Sequence, residues 1–340
     1  MPKAKIKKIK IGFIGAGSIG SLFGGYLASL KSQEYEIEVI LFSREPHVRA
    51  IREKGLTLEK PNSNIVLQNI KAYSSLEEFQ KDYTKSYRFD FLFITTKVYD
   101  SEKALKEYSD LVSKCRSIVI LQNGIGNEEI VEKHSEREKI VRVITTLGAL
   151  LKVPGYVVHT GVGFIKIGCP FPVNSIQKDK EKEWREKSLQ LLSKFFNSVG
   201  LECHIVNDIL KECWEKVFVN VGINPFAGIT RLRNGQLLED GSLKALMKDA
   251  VEEAIKVAKA KRIMLNRPNS DYIELMYDVA RKTYRNQNSM LQDILREKKT
   301  EIDFINGKIV DYARDLGIAV PINQTLTSLI KGIEQSYSDS

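Results

Sequence analysis

Residues 11 to 20 read Ile-Gly-Phe-Ile-Gly-Ala-Gly-Ser-Ile-Gly, an apolar run that passes directly into Gly15-Ala16-Gly17-Ser18-Ile19-Gly20. Glycines at this spacing between a strand and a helix can cradle the pyrophosphate of a dinucleotide. The first permits the tight turn, the second lets the backbone approach the phosphates, and the third lets the helix pack closely on the strand. The helix N-terminus adds free N–H groups and a dipole favourable to an anion. A second stretch, Trp214 to Pro225, sets Lys216, Asn220 and Asn224 at i, i+4 and i+8, one helical stripe that drifts by roughly 80°. The asparagines stand among Val219, Val221 and Ile223, where an unpartnered amide is costly to bury. The stripe is either a polar face lining a cleft or a pair of amides serving a neighbouring helix while Lys216 reaches solvent. Pro225 predicts that the helix ends at Asn224.

These residues need elements to hold them. Lys8–Ile14 is β-branched and aromatic, Ser18–Leu30 carries apolar residues at helical spacing, and Ile37–Phe42 is a second strand. This completed β-α-β unit, with its many glycines, separates the lysine-rich start from a secretory signal. A helix over Pro46–Lys54, strands over Leu56–Glu59, Ile65–Lys71 and Phe89–Thr96, a helix over Ser101–Val112 and a strand over Ser117–Leu121 follow. A helix near Asn127, strands over Val141–Leu147, Val157–His159 and Gly163–Ile167, a helix over Lys182–Val199 and a strand over Glu202–Val206 continue the alternation. Ser43-Arg44, Thr95-Thr96-Lys97 and Gln122-Asn123-Gly124 all follow strand carboxyl ends, the ligand edge of an open α/β sheet. From Asp208 the pattern is helical, with stretches at Ile209–Asn224, Leu243–Lys261, Ser270–Lys282 and Thr300–Leu316 and a last helix after Pro321. The expectation is an α/β chain: an N-terminal Rossmann-type doubly wound sheet over 1–207, followed by an all-α C-terminal domain over 208–340, the two bounding one crevice.

At the end of the second strand, where an acidic residue would bind the ribose diol of NAD, stand Ser43 and Arg44. A guanidinium and a hydroxyl suit a 2′-phosphate, so NADP(H) is the expected cofactor, with Glu45 as the opposing signal. The 340 residues carry a net charge of +9, spread along the chain. It is read as solvated surface that helps capture small anions rather than as a footprint for nucleic acid or membrane. Cys115, Cys169, Cys203 and Cys213 form no CxxC pair, which points to a reducing compartment, taken as the cytoplasm. His47, His134, His159 and His204 are scattered, so no metal is expected and their roles read as structural.

The sequence resembles the ketopantoate reductase (2-dehydropantoate 2-reductase) family. Four signatures carry the resemblance: Gly15 to Gly20, Gln122-Asn123-Gly124, the Lys216/Asn220/Asn224-Pro225 helix, and Ser289-Met-Leu-Gln-Asp293 leading to Thr300-Glu301-Ile-Asp-Phe-Ile-Asn-Gly307. It implies that Lys216 is the catalytic proton donor, that Asn220 and Asn224 hold the substrate, and that Asn234 and Ser289 complete its site. It also implies Asn123 where nicotinamide and substrate meet, Lys97 and Ala149 bordering the cofactor, and Glu301 facing the reacting end. The chemistry agrees, because hydride attack on a ketone builds negative charge on oxygen and an ammonium can supply both charge and proton. Desolvation would lower the lysine pKa, with Glu301 opposing that. Ser289 would bind the substrate carboxylate. The implied reaction is NADPH-dependent reduction of ketopantoate to (R)-pantoate on the way to pantothenate and coenzyme A. A related 2-oxo acid or opine-type dehydrogenase and a non-catalytic NADP sensor are the alternatives, and a homodimer is allowed.

Overall fold

The structure is a computed structural model that describes residues 6–83, 86–172 and 179–339; Lys3 and Lys5 of the basic start lie outside them. The chain divides into two compact units. One runs to Gln122 and resumes over Asn127–Ile209, and the other joins Asn123–Gly126 to the chain from Leu210 onward.

The first unit contains strands β1 (Lys7–Ile14), β2 (Tyr35–Phe42), β3 (Leu56–Lys60), β4 (Ser63–Leu67), β5 (Ile70–Tyr73), β6 (Phe91–Ile94), β7 (Ser117–Ile120), β8 (Ile140–Thr145), β9 (Gly148–Val153), β10 (Tyr156–Gly161), β11 (Ile165–Gly168) and β12 (Cys203–Ile205). Its helices are α1 (Ser18–Ala28), α2 (Glu45–Lys54), α3 (Leu76–Asp82), α4 (Ser101–Glu107), α5 (Ser109–Lys114), α6 (Asn127–Val131) and α7 (Asp179–Ser198). Eight strands form a sheet in the order β12-β11-β8-β7-β6-β1-β2-β5. Every pairing from β5 to β8 is parallel, while β11 runs antiparallel to β8. Because β1 lies between β2 and β6, the strand order reverses at its carboxyl end, the switch point where open α/β sheets bind ligands.

Both faces of this sheet are covered, which explains why its strands read as nearly continuous apolar runs. Val39, Leu41, Phe91 and Phe93 join one core with Leu22, Phe23 and Leu27 of α1 and Phe195 of α7. The alternate residues Ile40, Phe42, Leu92 and Ile94 join the other with Phe79, Leu105 and Val112 of α3 to α5. Each fully buried aromatic of this set stabilises the sheet by roughly 1.5–3 kcal/mol.

Four other strands form a second sheet in the order β4-β3-β10-β9, which the sequence pattern does not announce. It corrects one expected element: the single strand over Ile65–Lys71 is two. β4 pairs antiparallel with β3 in the small sheet, and β5 pairs parallel with β2 in the large one. The helix expected over Ser101–Val112 breaks at Tyr108, giving α4 and α5.

The second unit is helical: α8 (Ile209–Thr230, its first residue counted with the first unit), α9 (Gly241–Ala260), α10 (Asn269–Lys282), α11 (Ser289–Ile294), α12 (Asn306–Asp315) and α13 (Pro321–Gln335). Helix α8 packs closely on its neighbours, since a Cβ at Gly222 would stand 2.8 Å from Met276 of α10 and 2.9 Å from Val251 of α9. Contrary to expectation, α8 continues through Pro225. Proline cannot donate to the Val221 carbonyl one turn back; the buried Asn306 side chain donates to that oxygen instead, at 3.4 Å. The helix expected over Thr300–Leu316 is also interrupted, by a short turn over Ile302–Phe304 and a break at Ile305 (φ −111°, ψ −93°) before α12.

Candidate active site

The glycine turn lies at the end of β1. Gly15 has φ +79°, and a Cβ there would overlap Thr96 at the end of β6. At Gly20 a Cβ would stand 2.5 Å from Thr95 Oγ1, a hydroxyl that donates to the Ile14 and Gly15 carbonyls. These two glycines are therefore required by the fold itself. Gly17 is different: the nearest heavy atom to a Cβ there is the Gly15 oxygen at 4.0 Å. It is also the N-cap of α1, and no side chain caps that helix. Space at Gly17 and an uncapped first turn fit a phosphate-bearing group.

Around the turn, Ala16 and Gly20 are buried and Gly15, Gly17, Ser18 and Ile19 half-buried. The Ser18 hydroxyl accepts from the Leu151 N–H of β9 at 3.0 Å and keeps its own proton to donate. Ala149 is half-buried on the same strand. Ser43 donates to the Ala16 carbonyl at 3.0 Å, so its proton is committed inside the protein. Arg44, at the N-cap of α2, is exposed, and Glu45 faces Arg49 at 3.9 Å. Lys97 is half-buried at the end of the β6 segment. Gln122, not singled out individually in the sequence, donates to the Thr96 carbonyl at 2.8 Å and to Ser101 Oγ at 2.7 Å. It ties the end of β7 to the end of β6 and thereby backs the Gly15 turn. Its place in the Gln122-Asn123-Gly124 motif was the available signal.

The second unit gathers a different set. Lys216 Nζ donates to Asn123 Oδ1 at 2.8 Å, and Asn123 Nδ2 donates to Glu301 Oε2 at 3.2 Å. A half-buried ammonium and a buried carboxylate are thus joined through one amide, whose orientation both partners fix. Asn123 reaches them because its turn docks on the 301–305 segment. The Ile125 N–H donates to the Phe304 carbonyl at 3.3 Å, and Gly124, at φ +84°, passes so close to the same oxygen that a Cβ would overlap it. On α8, Asn220 is half-buried and Asn224 buried. Neither amide has a hydrogen-bond partner among the described residues, so both retain capacity for a ligand.

Asn234 and Ser289 are not bonded to this cluster. Asn234 donates to Thr283 at 2.9 Å and accepts from Asn288 at 3.1 Å. Asn288 in turn caps α11 through the Leu291 N–H at 3.0 Å, so Asn234 fixes the start of the helix whose first residue is the exposed Ser289.

His47 and His159 each engage both ring nitrogens. His159 takes Tyr26 Oη at 2.7 Å on one nitrogen and the Gly161 carbonyl at 3.0 Å on the other, and burial lowers its pKa. Burial also lowers the pKa of His47, to about 4. Among the described residues no helix is long and apolar enough to cross a membrane.

The strand order, the glycine turn at its reversal and a helical second unit place the chain among the Rossmann-type pyridine-nucleotide oxidoreductases. Residues 11–170 match the family described as ketopantoate reductase PanE/ApbA, and residues 208–334 match its C-terminal counterpart. The chain belongs to the ketopantoate reductase family. It is 36% identical to the 2-dehydropantoate 2-reductase of Pyrococcus abyssi, covering 96% of this chain and 98% of that one. To the enzyme of the same name from Archaeoglobus fulgidus it is 30% identical, over 97% and 99%. Among solved structures, a PanE/ApbA family ketopantoate reductase from Ralstonia eutropha superposes with a TM-score of 0.81 at 27% identity, over 97% and 100% of the chains. A D-mandelate dehydrogenase bound to NADH and anilino(oxo)acetate superposes with a TM-score of 0.82 at 27% identity, over 97% and 99%.

Proposed function

We propose that this protein reduces 2-dehydropantoate to (R)-pantoate with NADPH, the step that feeds pantothenate and coenzyme A synthesis. The observation that carries the reading is the Lys216–Asn123–Glu301 chain on the same unit as two α8 amides that have no hydrogen-bond partner among the described residues. When bound, the nicotinamide supplies the hydride that reaches the ketone carbon. Lys216 holds a proton at Nζ for the oxygen of that ketone and lowers the energy of its developing charge. Asn123 keeps the ammonium aimed, because its oxygen accepts from Lys216 while its nitrogen is anchored on Glu301. Glu301 holds Asn123 in the one amide orientation that presents oxygen to the lysine. Asn220 and Asn224 offer donors and acceptors for a hydroxylated 2-oxo acid, and Ser289, at the start of α11, a donor for its carboxylate. On the first unit, Gly15 to Gly20 would hold the pyrophosphate, with Lys97 and Ala149 along the dinucleotide. Arg44 would hold the 2′-phosphate, the basis for preferring NADPH to NADH.

A related 2-oxo acid dehydrogenase is the second reading, favoured by the superposition on the D-mandelate dehydrogenase. Initial rates with ketopantoate and a panel of other 2-oxo acids, with NADPH and NADH, distinguish the two. Preference for an aromatic or branched 2-oxo acid over ketopantoate would replace the first reading with the second. Lys216→Ala should cut kcat by about 10²–10⁴-fold and leave the Kd for NADPH nearly unchanged. An equal loss in cofactor affinity would contradict the proton-donor role.

A further inference from the structure

His47 lies three residues beyond Arg44, in the first turn of α2, and is 4% exposed. Its Nδ1 receives the Gly155 N–H at 2.9 Å. A backbone N–H can only donate, so Nδ1 is unprotonated and the imidazole hydrogen is on Nε2. Nε2 faces Ser21 Oγ at 2.9 Å, which makes the hydroxyl the acceptor and turns its own hydrogen to the Ala16 carbonyl at 3.2 Å. Ser21 is fully buried. The polarity of the chain is therefore fixed end to end: Gly155 N–H to His47, His47 to Ser21, Ser21 to Ala16.

We propose that His47 is a positioning residue for the dinucleotide cradle, acting through Ser21 on the carbonyl of Ala16. That carbonyl belongs to the peptide joining Ala16 to Gly17, the last one before the uncapped turn of α1. Two hydroxyl donors hold it, the buried Ser21 and, at 3.0 Å, the half-buried Ser43. With its oxygen held inward, the peptide plane is set before a phosphate arrives, and ordering it on binding costs less. The other arm of the imidazole is occupied by the β9–β10 turn, where Gly155 has φ +79° and its carbonyl takes the Thr57 N–H at 2.8 Å. One neutral side chain thus joins the β9–β10 turn to the glycine loop.

The proposal rests on the reading that the glycine turn holds a pyridine dinucleotide, and the two arms of the ring allow the two ideas to be tested apart. In His47→Asn the amide oxygen stands near Nδ1 and keeps an acceptor for Gly155 but loses the donor to Ser21. In His47→Gln the amide nitrogen stands near Nε2 and keeps that donor while losing the hairpin bond. NADPH binding to the full chain, read by nicotinamide fluorescence, should weaken roughly three- to tenfold in His47→Asn and in Ser21→Ala, the effect of one hydrogen bond. His47→Gln should retain affinity within about twofold. The kcat at saturating NADPH and the KM for ketopantoate should stay within about twofold of wild type in all three.

Affinity that falls equally in both His47 variants, tracking their melting temperatures, or that falls in neither, would overturn the proposal. Ser21→Ala, the smallest change, decides the matter if a His47 variant does not fold. If the unsubstituted protein binds neither NADPH nor NADH, the reading of the cradle fails first and this proposal with it.

Discussion

Protonating His47 in the folded chain would set a hydrogen on Nδ1 against the Gly155 N–H, with no acceptor between them. Burial accordingly holds its pKa at about 4, against an ordinary 6.5. Between those values the unfolded chain takes up a proton that the folded chain refuses. Stability from this group is therefore complete above the unfolded value and is lost as pH falls toward the folded one. The full span corresponds to about 3 kcal/mol, of which about 2 kcal/mol is gone near pH 5. Urea unfolding of wild type and His47→Asn at about pH 8 and about pH 5 isolates the effect. The variant should be less stable at the higher pH by the cost of its lost bond to Ser21. The difference should then shift by about 2 kcal/mol in the variant's favour at the lower pH, because the variant has no proton to take up at position 47. His159, also held low by burial, titrates in both proteins and cancels in the difference. A gap that stays constant across the two conditions would refute the assignment of a buried neutral imidazole at position 47.

The glycines of the cradle should separate fold from binding: Gly17→Ala is expected to leave the melting temperature within a few degrees of wild type while weakening NADPH at least about tenfold. Gly15→Ala, which meets Thr96 at a positive φ, should destabilise by about 2 kcal/mol or more in urea unfolding. Arg44→Ala should weaken NADPH roughly tenfold and NADH hardly at all, and an unchanged ratio of the two dissociation constants would sink the 2′-phosphate assignment. Asn306→Ala should cost about 1–3 kcal/mol by stranding the Val221 carbonyl. Pro225→Ala in that background should recover part of the loss, because position 225 would regain the N–H that serves this oxygen; no recovery in the double variant's unfolding curve would mean the asparagine acts elsewhere.

The β1-α1-β2 unit was legible because its signals are local: nearly continuous apolar, β-branched runs in the strands, helical spacing after the glycines, and glycines at a turn. The small second sheet was not, since its pairing of β10 with β3 depends on residues far apart in the chain and on strands too short to show a period. Pro225 misled for a related reason. The rule that proline ends a helix is local, and the donor that rescues Val221 lies 85 positions away. At the candidate site, the stripe of Lys216, Asn220 and Asn224 followed from spacing alone. That Asn123 bonds Lys216 and Glu301 came from a docked turn no spacing encodes. His47 read as one of four scattered histidines until Gly155, 108 positions away, fixed its tautomer.

That docked turn has a consequence for modularity. The chain contributes to the helical unit twice, first with the four residues Asn123–Gly126 and again from Leu210. A cut near Leu210, the natural place to divide the gene, would yield a helical fragment with Lys216 and Glu301 but without the amide that joins them. The Lys216–Asn123–Glu301 hydrogen-bond chain is therefore no portable cassette. Moving the helices alone would carry this hydrogen-bond chain along only if an asparagine-glycine turn like Asn123-Gly124 were moved with them.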